Sequence, residues 1–136
     1  MRGLTAILLL LIGLVPAGHT DETWDALSPA QGIYEGEAIS GGATVPVETR
    51  LTAMPDGTLT GNYSFFQDGT AYHGTLLRGR ATGPTRLVFI WHDDWGFGTL
   101  TLDFTPDFSR FVGAWGSLDD GSGALPWVGV RSGEKD

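Results

Sequence analysis

The chain contains no cysteine. Disulfides, thiolate catalysis and lipid attachment at a cysteine behind the leader are therefore excluded. Cations are few: eight Lys and Arg stand against sixteen Asp and Glu, for a formal charge of −8. A surface of that sign repels nucleic acid and anionic membranes. The acidic residues are scattered, with no block of five like charges, so they solvate a surface and form no acidic tail. After residue 17 there is no helical pattern of ten residues, no G-x-S-x-G, and no glycine-rich loop entering a helix. Serine-nucleophile and phosphate-cradle chemistries have no motif here.

The start of the chain reads as a secretory signal peptide. Met1-Arg2 supplies a short positive region, and Leu4 to Val15 (LTAILLLLIGLV) is an apolar run of 12 residues. Val15-Pro16-Ala17 places small residues where a signal peptidase reads, so cleavage is expected after Ala17. Twelve helical residues span about 18 Å, short of a hydrocarbon core of roughly 30 Å, which argues against a retained anchor. The expected organisation is a signal peptide at 1–17, an N-terminal arm at 18–30, a β-barrel domain at 31–131 and a disordered tail at 132–136. Loss of Arg2 with the signal takes the charge from −8 to −9. A cysteine-free secreted domain fits a bacterial periplasm or medium best. In that setting the sequon Asn62-Tyr63-Ser64 is a coincidence. About 100 residues in one domain can bury a sufficient core without staples.

Glycine is abundant, 21 of 136 residues, and it falls inside alternating segments. Period-2 patterning marks eight runs: Gln31–Ile39, Thr44–Ala53, Thr58–Phe66, Thr70–Arg78, Arg86–His92, Gly98–Phe104, Arg110–Ser117 and Ala124–Arg131. Pro55-Asp56-Gly57 and Gln67-Asp68-Gly69 are strong turn signals. Every connection is short, so successive strands are antiparallel neighbours. The predicted fold is all-β: an eight-stranded up-and-down meander, closed or nearly closed into a small barrel, because closure removes exposed edges. Alternation places Leu59, Gly61, Tyr63 and Phe65 on one face of the third run. Leu100, Leu102 and Phe104 share a face in the sixth, Phe111, Gly113 and Trp115 in the seventh, and Leu125, Trp127 and Gly129 in the eighth. The fifth run is apolar on both faces. Its outer residues Val88 and Ile90 need cover, from Trp24–Leu27 of the arm or from a second subunit. The arm itself reads as one helical turn against a barrel end or as a linker.

Four motifs carry a resemblance. They are Gly32-Ile33-Tyr34, Asp56-Gly57-Thr58-Leu59-Thr60-Gly61-Asn62-Tyr63, Phe111-Val112-Gly113-Ala114-Trp115 and Trp127-Val128-Gly129-Val130-Arg131. Their order resembles small secreted bacterial β-barrel proteins of uncharacterised function, and more distantly avidin-like and lipocalin-like barrels. The resemblance implies a calycin-type barrel, and Tyr63 matches the avidin Tyr that contacts ligand. Phe65, Tyr34 and Gly36 replace three other avidin residues, a hydroxyl, a Trp and an Asn, so the resemblance does not carry biotin binding with it.

The most chemical stretch is Trp91-His92-Asp93-Asp94-Trp95-Gly96. His92, Asp93 and Asp94, with His73, could serve a divalent metal, which wants three or four converging ligands. Against that, the spacing is not a zinc signature, and Asp-Asp before Trp-Gly is ordinary hairpin chemistry. Trp91 continues the Leu87-Phe89 face and reads as core. Trp95 reads either as rim packing or as a ring closing over a ligand at the mouth. Glu35 and Glu37 belong to the solvated face opposite Tyr34. Arg131 reads as structural, either pairing with an acidic neighbour or sealing the barrel end by stacking on a ring. Tyr63, Trp95, Trp115 and Trp127 are the predicted ligand-binding residues. Catalytic residues, metal ligands and cofactors are assigned to none. The leading functional expectation is a secreted or periplasmic non-catalytic binder of a small apolar or aromatic ligand. A filled barrel that docks a protein partner or a second copy comes next, and a metal-dependent enzyme last. An eight-stranded barrel is just wide enough to be filled or to hold one small ligand, and the inward glycines read either way.

Overall fold

A computed structural model describes residues 27–117 and 124–132. The expectations for the signal peptide, for the arm before Leu27, for the connection at 118–123 and for the tail from 133 lie outside the described residues. Eight antiparallel strands form a closed barrel in simple sequence order. They are β1 (Gly32–Ser40), β2 (Ala43–Ala53), β3 (Leu59–Gln67), β4 (Thr70–Ala81), β5 (Arg86–Asp93), β6 (Gly96–Phe104), β7 (Arg110–Ser117) and β8 (Leu125–Ser132). β8 pairs back on β1, with Tyr34 opposite Arg131 and Ala38 opposite Trp127. No strand is left as an edge, which is the physical reason a meander of this length closes.

The tight turns follow the residue chemistry. Asp68 and Gly69 both take positive φ, 54° and 78°, in the two-residue β3–β4 hairpin. Turns of that twist match the twist of the flanking strands. The expected end of β4 at Arg78 is corrected: the strand continues to Ala81 through a bulge. Arg78 takes φ 56°, and the register with β5 shifts between Leu77 and Arg80. The bulge interrupts the ladder with β5 at Arg78 and Gly79 and bends the strand there. Gly79, on the inner side of that bulge, lies under the Phe89 ring, where a Cβ would clash.

The interior is divided along the barrel axis. In the lower half Tyr34, Leu51, Leu59, Phe104 and Phe111 fill the section completely. Tyr34 sits against Phe104 and Phe111, with ring centroids at 5.6 and 5.3 Å. A short 3₁₀ turn, Ser28–Ala30, plugs this base, and Leu27 and Ala30 join the core. Arg131 seals it. Its guanidinium stacks over the Tyr34 ring at 5.0 Å. Its N–H groups donate to the carbonyls of Gln31 (2.6 Å), Pro29 (2.7 Å) and Phe108 (2.9 Å) and to the Tyr34 hydroxyl (2.8 Å).

Of the Trp24–Leu27 segment expected as one possible cover for the outer face of β5, only Leu27 is described. The described end of the arm goes to the base of the barrel and not to the outer face of β5. Val88 and Ile90 stay half-buried beside Leu77 and Phe97, which are both exposed.

Candidate ligand-binding site at the barrel mouth

The hairpins β1–β2, β3–β4 and β5–β6 rise at the end opposite the plug. There the barrel opens into a cavity of about 430 Å³. Strand alternation builds its wall. β3 turns Tyr63 and Phe65 inward, β4 turns Tyr72, β5 turns Trp91, β7 turns Trp115 and β8 turns Trp127. Val45 and Val47 of β2 complete the apolar lining. All four sequence-predicted residues, Tyr63, Trp95, Trp115 and Trp127, meet at this cavity. The interior is therefore neither filled nor empty throughout: the base is packed and the mouth is open.

The rings hold one another in place. Tyr63 meets Trp127 edge-on at 4.9 Å, and Trp91 meets Trp115 edge-on at 5.3 Å. Trp95 is 60 % exposed, yet its ring lies 4.7 Å from Tyr72 and 5.8 Å from Phe65. It packs on the rim and also lines the opening. Tyr63 can lie flat across β4 because residue 74 is Gly; a Cβ there would occupy the phenol ring itself.

Polar atoms at the mouth are mostly engaged with the protein. The indole N–H of Trp91 donates to the Gly116 carbonyl (3.0 Å) and that of Trp115 to the Ile39 carbonyl (3.1 Å). Trp127 donates to the hydroxyl of Thr49 (3.0 Å), the one buried polar residue of the core among the described residues. Ser40 and Gln67 bond reciprocally, both at 3.2 Å, and tie the β1–β2 hairpin to the β3–β4 hairpin.

Asp93, which the sequence offers as a turn residue or a metal ligand, lines the cavity. It does form the turn: its Oδ1 accepts the Trp95 backbone N–H at 2.8 Å. Its Oδ2 also accepts the Tyr63 hydroxyl at 2.6 Å, across the mouth. The signal was present, because residues 87, 89, 91 and 93 share one parity and the first three are buried. Burial, together with this carboxylate, pushes the Tyr63 phenol well above its ordinary 10.0. A phenol raised on folding stabilises the fold below pH 10.0, and that contribution is lost as pH climbs above it, because the unfolded chain ionises first. Tyr63→Phe should shrink the stability lost between about pH 9 and about pH 11 in urea titrations. An equal alkaline loss in both proteins would remove the effect from Tyr63.

The remaining candidates are not brought together. His92 points outward opposite Phe97 and Thr75, His73 lies on the outer face of β4 opposite Ser64, and Asp94 is exposed in the turn. Among the described residues no three His, Asp or Glu side chains gather to hold a metal ion. Glu35 and Glu37 are exposed, on the solvated face. No family model matches this chain, and the searches of curated proteins and of solved structures likewise found no match.

Proposed function

We propose that the chain is a non-catalytic binding protein, secreted or periplasmic, that takes one small apolar or aromatic ligand in the barrel mouth. The observation carrying this reading is the ring-walled cavity of about 430 Å³ above a fully packed base. That volume falls in the usual range for small-molecule sites, roughly 300–1,000 Å³. Its wall is already hydrogen-bonded, so a ligand has little to organise on entry.

The test is a fluorescence titration with N-phenyl-1-naphthylamine, a neutral apolar probe. Saturable binding at one site per chain is expected. Trp95→Ala should weaken it about tenfold, the loss of one aromatic contact. The melting temperature should hardly move, because Trp95 is mostly exposed. Absence of saturable binding would overturn the reading, and a large fall in melting temperature would make Trp95 a structural residue.

A second reading, docking of a protein partner or second copy on the outer wall, is favoured by the cluster of Leu77, Val88, Ile90 and Phe97. It predicts an oligomer in sedimentation that Phe97→Glu dissociates. A monomer with no captured partner counts against it.

A further inference from the structure

We infer that the ligand of the mouth is an organic cation, a quaternary or protonated amine on an apolar body. This inference rests on the binding reading above and names the class of ligand.

Three observations converge on positive charge. The first is what the cavity wall offers. Rings dominate it, with Val45, Val47 and Ile39 between them and Ser40 and Gln67 at the rim; its charged groups are two carboxylates, Asp68 and Asp93, and no Lys, Arg or His lines it. The negative faces of aromatic rings attract a cation within about 6 Å of their centroids, and a desolvated cage of them gains about 2 kcal/mol or more. Phe65 and Tyr72 stack at 5.4 Å and Trp95 tilts against them at 5.8 and 4.7 Å, so the three rings pack into one aromatic wall at the rim, with Asp93 at the foot of the Trp95 turn.

The second is the state of the donors. An anionic ligand needs N–H or O–H groups to replace its water. The deep donors, the indoles of Trp91, Trp115 and Trp127 and the hydroxyl of Tyr63, already serve protein acceptors, which leaves the Tyr72 hydroxyl and the Trp95 indole N–H at the rim. Acceptor capacity, in contrast, remains. A carboxylate takes about four hydrogen bonds, and Asp93 receives two from the protein.

The third is the distribution of charge along the axis. All six described arginines sit in the closed half or on its outer wall. Arg86, Arg110 and Arg131 flank the base, Arg78 and Arg80 belong to the β4 bulge, and Arg50 pairs opposite Ile33. Around the closed half those arginines are offset by Glu35, Glu48, Asp56, Asp103 and Asp107, whereas the described mouth hairpins carry Asp68, Asp93 and Asp94 and no Lys or Arg. Such a field draws a cation toward the opening and repels an anion.

Phenyltrimethylammonium and tert-butylbenzene test this directly. They have the same shape and differ by one charge. Para-tert-butylbenzoate is the anion of similar body. Each is titrated against the full mature protein by calorimetry and by displacement of N-phenyl-1-naphthylamine. The cation is expected to bind at least about tenfold tighter than the hydrocarbon, although the hydrocarbon is the more hydrophobic. The benzoate should not compete. Asp93→Asn should erase most of the cation's advantage, read as the ratio of cation to hydrocarbon affinity in the same variant. Asp68→Asn supplies a second removal of charge at the exposed rim, should Asp93→Asn fail to fold. Equal or tighter binding of the hydrocarbon or the benzoate overturns the cation inference and leaves the apolar pocket standing. No binding of any of the four compounds overturns both.

Discussion

Replacing Tyr34 by Ala should lower the stability of the barrel by roughly 3–5 kcal/mol, and the melting temperature by about 15–25 °C. Tyr34 has no exposed surface, so the whole ring is lost as a cavity. Its edges touch Phe104 and Phe111, which cannot both close the gap while β6 and β7 hold them in register. The hydroxyl adds to the loss. It lies 2.9 Å from the Ala30 carbonyl and 3.1 Å from that of Phe108, and it receives the Arg131 guanidinium. Without it the 3₁₀ plug loses one of its ties. Tyr34→Phe separates the two contributions. It keeps the ring and should cost only about 1–2 kcal/mol. Tyr34→Phe should leave binding at the mouth unaltered, because Tyr34 belongs to the opposite, packed half. Chemical denaturation with a probe titration on each protein checks both statements. A Phe variant as unstable as the Ala variant would place the energy in the hydroxyl and not in the packing.

Gly74→Ala is the second large effect, roughly 1–3 kcal/mol of destabilisation, and it should also disable the mouth. The added methyl falls where the Tyr63 ring lies. That ring is held on its other sides by Trp127 and Phe65, so it has to swing away from Asp93. Asp93 then loses the Tyr63 donor and keeps only the Trp95 backbone donor. Overpacking of this kind is specific to one neighbour. Trimming Tyr63 to Ala in the Gly74→Ala background should therefore recover part of the loss, giving a coupling of about 1 kcal/mol or more in a double-mutant cycle. Additive effects would mean that Gly74 is needed for the bend of β4 and not for room under the ring.

The fold was legible because inward and outward residues alternate through nearly every strand, and Gly-containing turns separate them. Leu59, Tyr63 and Phe65 are buried and Asn62 is exposed, as the pattern requires. Strand five reads the same way, with Leu87, Phe89 and Trp91 inside. Leu125 has the inward parity of Trp127 but is partly exposed, since it stands above the core at the rim. The β4 bulge was not legible. An Arg with positive φ carries no local signature, and only the strain of closing the barrel calls for it. The division into packed base and open mouth was equally hidden. It depends on which ring falls over which glycine on the adjacent strand, as Phe111 does over Gly129. Cross-strand register decides that, and a one-dimensional pattern is silent on register between strands. Asp93 is legible only in part: the turn it forms is local, whereas the partner of its second oxygen, Tyr63 on β3, depends on placement across the barrel.

The described chain enters and leaves the barrel at the same end. Leu27 and the 3₁₀ turn lie in the base, and β8 finishes at Ser132 opposite Ile33. A cargo, a surface support or a neighbouring module joined at either side is therefore attached behind the Arg131 seal. The opening then faces away from its tether, like a cup held by the foot. Immobilising the protein through Ser132 should leave its rim as accessible as in free solution, whereas coupling through the β3–β4 hairpin at Gly69 should crowd it.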